Sequence, residues 1–259
     1  MKNIALSLSY NGTAYHGFQI QKNAQTIQGV VTAAIYKATG EHVSLSGCGR
    51  TDAGVHARRY LANFKSSCGI PADRLPLALN ARLPMDVSVK GAALVPDGFD
   101  ARFDCVKKEY TYYIHQSRIR DPFLVNRTYS CSYRLNLPAM QTAASYFAGT
   151  KDFASHRSVG TPVRSTVRTV HYVTVSGEAP DVIAIRACAN GFLYNMVRAI
   201  AGTLFYVGIG KLQPGDIPRI LASCDREQAG PTLPPEGLFL TRLWYNEPAI
   251  RQFQLDDEL

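Results

Sequence analysis

The sequence predicts an α+β protein built from two related sheet-plus-helix lobes. Two-residue alternation of apolar side chains recurs along all 259 residues, helical spacing interrupts it in each half, and no low-complexity linker separates the halves. The lobes are expected at 1–105 and 106–259, with a central antiparallel sheet and a cleft between them.

The elements follow in order. Ile4, Leu6, Leu8 and Tyr10 alternate as a strand. Ile27, Val30, Val31, Ala34, Ile35 and Ala38 keep helical spacing, and Gly40 stands where that helix would stop. Val43 and Leu45 predict a strand that breaks at Gly47 and Gly49, and Tyr60, Ala62 and Phe64 predict the next. Pro71 opens a helical pattern through Leu75, Leu79 and Leu83, and 87–95 alternates. In the second half Tyr110, Tyr112 and Ile114 share a strand face. A helix is expected over 137–147, closed by Gly149. Val163, Val167, Val173 and Val175 predict a long strand whose other face carries Arg164, Thr166 and Arg168. A strand over 181–189, an apolar helix over 192–207, a short helix over 214–223 and a strand over 238–245 complete the chain.

Composition narrows the function. The apolar stretch 192–209 is interrupted by Asn195 and Arg198, so no membrane span is expected, and Lys2-Asn3 leads into a strand pattern rather than a signal peptide. A soluble, cytoplasmic protein is expected. The six cysteines are scattered without a C-x-x-C pair and the six histidines form no H-E-x-x-H, so neither a disulfide framework nor a metal site is expected. A net charge of +8 favours a polyanionic partner.

The segment Gly47-Cys48-Gly49-Arg50-Thr51-Asp52-Ala53-Gly54-Val55-His56 lies between two strand patterns. Its glycines permit backbone angles that fix one side chain in an exposed loop. Asp52 there is either a turn former bonding its own backbone, part of a phosphate-binding loop, or a catalytic carboxylate beside Arg50. The phosphate reading fits poorly: the third glycine of G-x-G-x-x-G is missing, and there is no G-x-x-x-x-G-K-[ST].

The run G-R-T-D-A-G-V-H-A resembles the signature of the tRNA pseudouridine synthase A family. So do Tyr10-Asn11-Gly12 with Gly17-Phe18-Gln19, Phe99-Asp100-Ala101-Arg102-Phe103, Lys108-Glu109-Tyr110-Thr111-Tyr112 and Lys151-Asp152-Phe153. Gly191-Phe192-Leu193-Tyr194-Asn195-Met196-Val197-Arg198 and Pro234-Pro235-Glu236-Gly237-Leu238 extend the likeness over nearly the whole chain, in family order. His156 stands where Phe is common and Cys48 where Ala is common. The resemblance implies that Asp52 is the catalytic aspartate, Arg50 its neighbour in the site and Arg198 its basic partner. It implies that Tyr110 stacks on the target base and serves in proton transfer, and that Leu238 walls the uracil pocket. It further implies isomerisation of uridines 38, 39 and 40 in the tRNA anticodon arm by a homodimer, with no cofactor.

Physical chemistry bears on these roles. A helix apolar on most faces is buried, and a guanidinium on it requires a carboxylate partner, an RNA phosphate or a path to solvent. Pairing with Arg198 would keep Asp52 ionised, as a nucleophile requires. Attack on ribose C1′, attack on uracil C6 and a glycal route all remain open to such a carboxylate. Tyr110 is either a core aromatic or the platform for a base flipped out of its stack. Arg58, Lys108 and Arg168 are candidate RNA contacts, and Arg59, Lys107, Arg118, Arg120, Arg127 and Arg164 add to a basic frame. The rival reading is an inactive RNA-binding protein on the same scaffold.

Overall fold

The computed structural model describes residues 1–158 and 163–253. In chain order the elements are β1 (Lys2–Tyr10), α1 (Ile27–Thr39), β2 (Ser46–Gly47), β3 (His56–Ser66), α2 (Leu75–Asn80), β4 (Val87–Val95), β5 (Cys105–Gln116), β6 (Tyr129–Cys131), α3 (Leu137–Ser145), β7 (Gly149–Asp152), β8 (Val167–Ala179), β9 (Val182–Ala189), α4 (Met196–Gly208), α5 (Asp216–Ser223) and β10 (Leu238–Tyr245). The fold is α+β, as the sequence predicts. The chain divides into two compact units, Met1–Lys107 with the segment from Leu240 onward, and Lys108–Phe239.

In the first unit the strands run in the order β4-β1-β3-β10, with β2 beside β3. β1 pairs antiparallel with both β3 and β4. One face of β1 buries Ile4, Leu6, Leu8 and Tyr10. α1 buries Ile27, Val31, Ala34 and Ile35, the single stripe its spacing dictates. Thr26 caps its start by accepting from Gly29 N, and Gly40 ends it at φ 75°, a left-handed angle suited to glycine. On the other face of β1, the buried Asn3 side chain donates to the carbonyls of Pro96 and Phe99 at 2.9 Å each. Asn63 on β3 donates to Asn3 Oδ1 and Phe99 O and accepts from Ala101 N. Two buried amides thus fix the 96–101 segment to the sheet.

The sequence reading ran its second lobe to residue 259, whereas β10 from Leu240 belongs with the first unit. Tyr245 explains this: its ring packs on Phe99 at 5.7 Å and its hydroxyl donates to Ala101 O at 2.5 Å. Sequence distance does not limit strand pairing, so the last strand is the hardest to place from a linear pattern.

In the second unit the order is β5-β9-β8-β7, and β6 lies parallel beside β5. β9 pairs antiparallel with both β5 and β8. α4 buries eleven of its thirteen residues, as its all-round apolar sequence requires. Two glycines let it pack closely. A Cβ on Gly202 would lie 1.7 Å from Pro231 O, and one on Gly208 would lie 2.8 Å from Met140 Sδ of α3.

Several elements differ from the sequence expectation. Residues 41–45 form no strand; only Ser46–Gly47 pairs with β3. α2 is preceded by a 3-10 turn and ends before Leu83. Gly149 does not cap α3 but starts β7 at φ 107°. β8 begins at Val167, so Val163 and Arg164 precede it, and its register shifts between Val170 and Tyr172. That shift explains why Val167 is 45% exposed while Val173 and Val175 are buried. α4 starts at Met196 rather than 192, because Asn195 takes a left-handed angle of φ 60°. Among the described residues no helix is long and apolar enough to cross a membrane.

Candidate active site

The loop after β2 is held by glycine contacts from the segment after β1. A Cβ on Gly12 would lie 2.0 Å from Val55 O, and one on Gly17, at φ 84°, would lie 2.3 Å from Thr51 O. Phe18 N donates to Thr51 O at 3.2 Å and Gly54 N to Tyr15 O at 3.2 Å. Tyr10 Oη and Thr51 Oγ1 share a buried hydrogen bond of 2.9 Å, and Gly12 N donates to Nδ1 of the buried His56 at 3.0 Å. From the other side, Tyr60 on β3 donates to Gly49 O at 2.5 Å while its ring stacks on Phe18 at 4.3 Å. Asp52 lies at the centre of this clamp, half-buried, its carbonyl accepting from Val55 N across a turn in which Gly54 takes φ 78°. The two flanking residues are fixed in opposite states: Thr51 is buried and Ala53 exposed. Such a fixed backbone preorganises the residue that carries the carboxylate. Arg50 and Arg58 are exposed beside the loop.

The second unit holds the other predicted residues. Tyr110 lies on β5 opposite Ala187 of β9, buried, with its ring edge-on to Phe192 at 5.3 Å. Arg198 occupies the first turn of α4. Its Nε donates to Leu233 O at 2.7 Å and its Nη1 to Asn195 Oδ1 at 2.6 Å. Asn195 in turn donates from Nδ2 to Ser158 Oγ at 2.9 Å. The guanidinium is therefore aimed by two fixed oxygens, and Asn195 uses its side chain for this instead of capping α4. Segment 233–238 passes both Arg198 and Tyr112, whose hydroxyl donates to Pro234 O at 2.7 Å. Burial, reinforced by Glu236, pushes the Tyr112 phenol well above its ordinary range, so it stays protonated as a donor. Leu238, the last residue of that segment, is buried. Lys108 is half-buried at the start of this unit.

Arg168 stands half-buried near the start of β8. Its Nη1 donates to the carbonyls of Ser165 and Val167 at 2.9 and 2.7 Å, so it ties down the chain entering β8. Sequence reasoning gave no role to Asn195, Tyr10, Gly12 or Gly17. Tyr10, Gly12 and Gly17 carried a signal only through the family resemblance of their runs, and an Asn directly before an apolar helical run marks a helix start. Among the described residues no group of three or more His, Cys, Asp or Glu side chains is gathered as a metal ion requires.

Comparison with known proteins adds the family. A family model described as tRNA pseudouridine synthase matches residues 7–104 and 143–246, which takes in the aspartate loop, α4 and all of β10. The tRNA pseudouridine synthase A of Caldicellulosiruptor bescii is 49% identical over 247 residues, covering 95% of this chain and 100% of that one. Those of Thermoanaerobacter sp. and Bacillus subtilis are 47% and 41% identical, covering 95% and 93% of this chain and 100% and 98% of theirs. The chain belongs to the tRNA pseudouridine synthase family.

Proposed function

We propose that this protein isomerises uridine to pseudouridine in the anticodon arm of tRNA, at positions 38, 39 and 40, with Asp52 as the acting carboxylate. The observation that carries this reading is Asp52 held half-buried in a glycine-clamped loop, in a chain of this family. The reaction breaks the N1–C1′ bond, forms C5–C1′, releases the C5 proton and adds one at N1. Substrate and product have the same composition, so no co-substrate or cofactor is required.

The aimed guanidinium of Arg198 supports its role as the cation that keeps Asp52 ionised. The aromatic face of Tyr110, edged by Phe192, supports its role in receiving the flipped base. Leu238 supplies an apolar wall, and Arg50, Arg58 and Lys108 contact the RNA backbone. Arg168, whose Nη1 also ties down the chain entering β8, is a further RNA contact. The enzyme works in the cytoplasm as a homodimer without metal. Light scattering of the purified protein should give twice the 28.4 kDa chain mass; a monomer at micromolar concentration would contradict this.

The chemistry is tested with unmodified tRNA tritiated at uridine C5. The wild type should release tritium. Asp52→Asn should slow release by about 10⁴-fold or more while binding the same tRNA within about threefold of wild type. An inactive RNA-binding protein on this scaffold would release nothing in either form.

A further inference from the structure

The motif Phe99-Asp100-Ala101-Arg102-Phe103 has no part in the chemistry above, yet it is built as a rigid platform. Its base is anchored at four places. Phe99 O accepts from Asn3 and Asn63, Ala101 N donates to Asn63 Oδ1, and Ala101 O accepts from the Tyr245 hydroxyl. Asp100 then shapes the turn: its Oδ1 accepts from Arg102 N at 2.8 Å and Phe103 N at 3.2 Å, and its Oδ2 accepts from Ser46 Oγ at 3.0 Å. Asp104 closes it by accepting from Asp100 N at 2.8 Å.

This anchoring presents two side chains to solvent. Phe103 is 78% exposed, and the Arg102 guanidinium lies over its ring at 5.5 Å. A ring held in water by a fixed turn offers a preorganised face for stacking. Arg102 also lines a recess of about 160 Å³ with Phe18, Gln19, Gln28, Gly47 and Arg50. Ser46 joins the two features, since it lines the recess and bonds the turn. Among the described residues no acidic side chain lines the recess and two arginines do, so its charge complements a phosphate.

We infer that the 99–103 turn and the recess at Arg50 form a nucleotide subsite beside the aspartate loop. A base of the substrate RNA other than the target uridine stacks on Phe103 and Arg102, and its phosphate enters the recess. An exposed aromatic next to arginines is how proteins hold single-stranded RNA, because every base has a face to stack. The inference rests on the proposed tRNA substrate and extends it to a second nucleotide. A protein partner on the same ring would require no phosphate-complementary recess.

The test uses the full-length protein and the tritiated tRNA, with Phe103→Ala, Phe103→Trp and Arg102→Ala. Phe103→Ala should raise KM about tenfold with kcat within about twofold, and Phe103→Trp should return KM to near wild type. Arg102→Ala should raise KM and lower the slope of log affinity against log salt by about one. Alanine variants of an active enzyme with wild-type KM would overturn the subsite, as would a rise in KM that tryptophan does not reverse. Should the wild type release no tritium, the proposed reaction fails instead; equilibrium binding of the same tRNA by the same variants then decides the subsite separately.

Discussion

Asp52 and Arg50 stand out in a single sequence because they lie in one local run of residues between two strands. The groups that hold them do not. Tyr10, Gly12 and Gly17 touch the loop from 34 or more positions away, and their own runs carry a family resemblance but no sign of that contact. Asn195 is similar: its bond to Arg198 depends on a left-handed backbone angle that sequence does not declare. His156 shows what a buried residue adds. Thr203 donates its one hydroxyl proton to Ala199 O and accepts from Gly230 N, so at 3.3 Å the His156 Nε2 must be the protonated nitrogen. Nδ1 then accepts from the Ser155 hydroxyl at 2.9 Å, which leaves the ring neutral. Burial, with Arg226 adding to it, pushes its pKa from 6.5 down to about 3. The unfolded chain takes up that proton first, so the stability this residue contributes is complete above 6.5 and is lost as pH falls toward 3. His156→Phe should flatten the fall of Tm across that window, measured by thermal melts at stepped pH. Parallel profiles for the two proteins would refute the neutral-histidine account.

At the scale of elements, period and burial agree wherever one face alone is covered. α1, β4 and β10 fall where their patterns predict, because a stripe or an alternation has one solution there. The misplacements have separate causes. Val43 and Leu45 alternate with polar neighbours, yet Leu45 is buried with its carbonyl taken by Gln28 Nε2 at 2.8 Å instead of a strand partner. The apolar run from 192 predicts helix throughout, because hydrophobicity does not register a single left-handed residue such as Asn195. α4 also shows how backbone packing positions chemistry. Gly202 lies one turn beyond Arg198, pressed against Pro231, and Gly230 meets Gly202 from the opposite strand of chain. The same 230–233 segment supplies the Leu233 carbonyl that orients Arg198. Gly202→Ala should therefore lower unfolding free energy by about 1–3 kcal/mol and reduce tritium release by more than the loss of folded protein explains. Urea denaturation together with activity per folded molecule checks this; an unchanged midpoint would mean that the close approach is not needed.

For the whole molecule, the sequence by itself determined the α+β class, the basic balance suited to a polyanion, and the run that carries Asp52. Each is a property of neighbours along the chain or of totals over it: alternation records which faces are covered, charge adds without regard to position, and a loop motif keeps its chemistry wherever it is placed. Only the tertiary structure decided that the strand from Leu240 joins the first unit, that two buried asparagines anchor the 99–103 turn, and that Phe103 stands in solvent. These depend on pairs such as Asn3 with Phe99 and Tyr245 with Ala101, separated by 96 and 144 positions. Hydrogen bonds and van der Waals contacts act over a few ångströms in space, and the distance along the chain does not enter their energy.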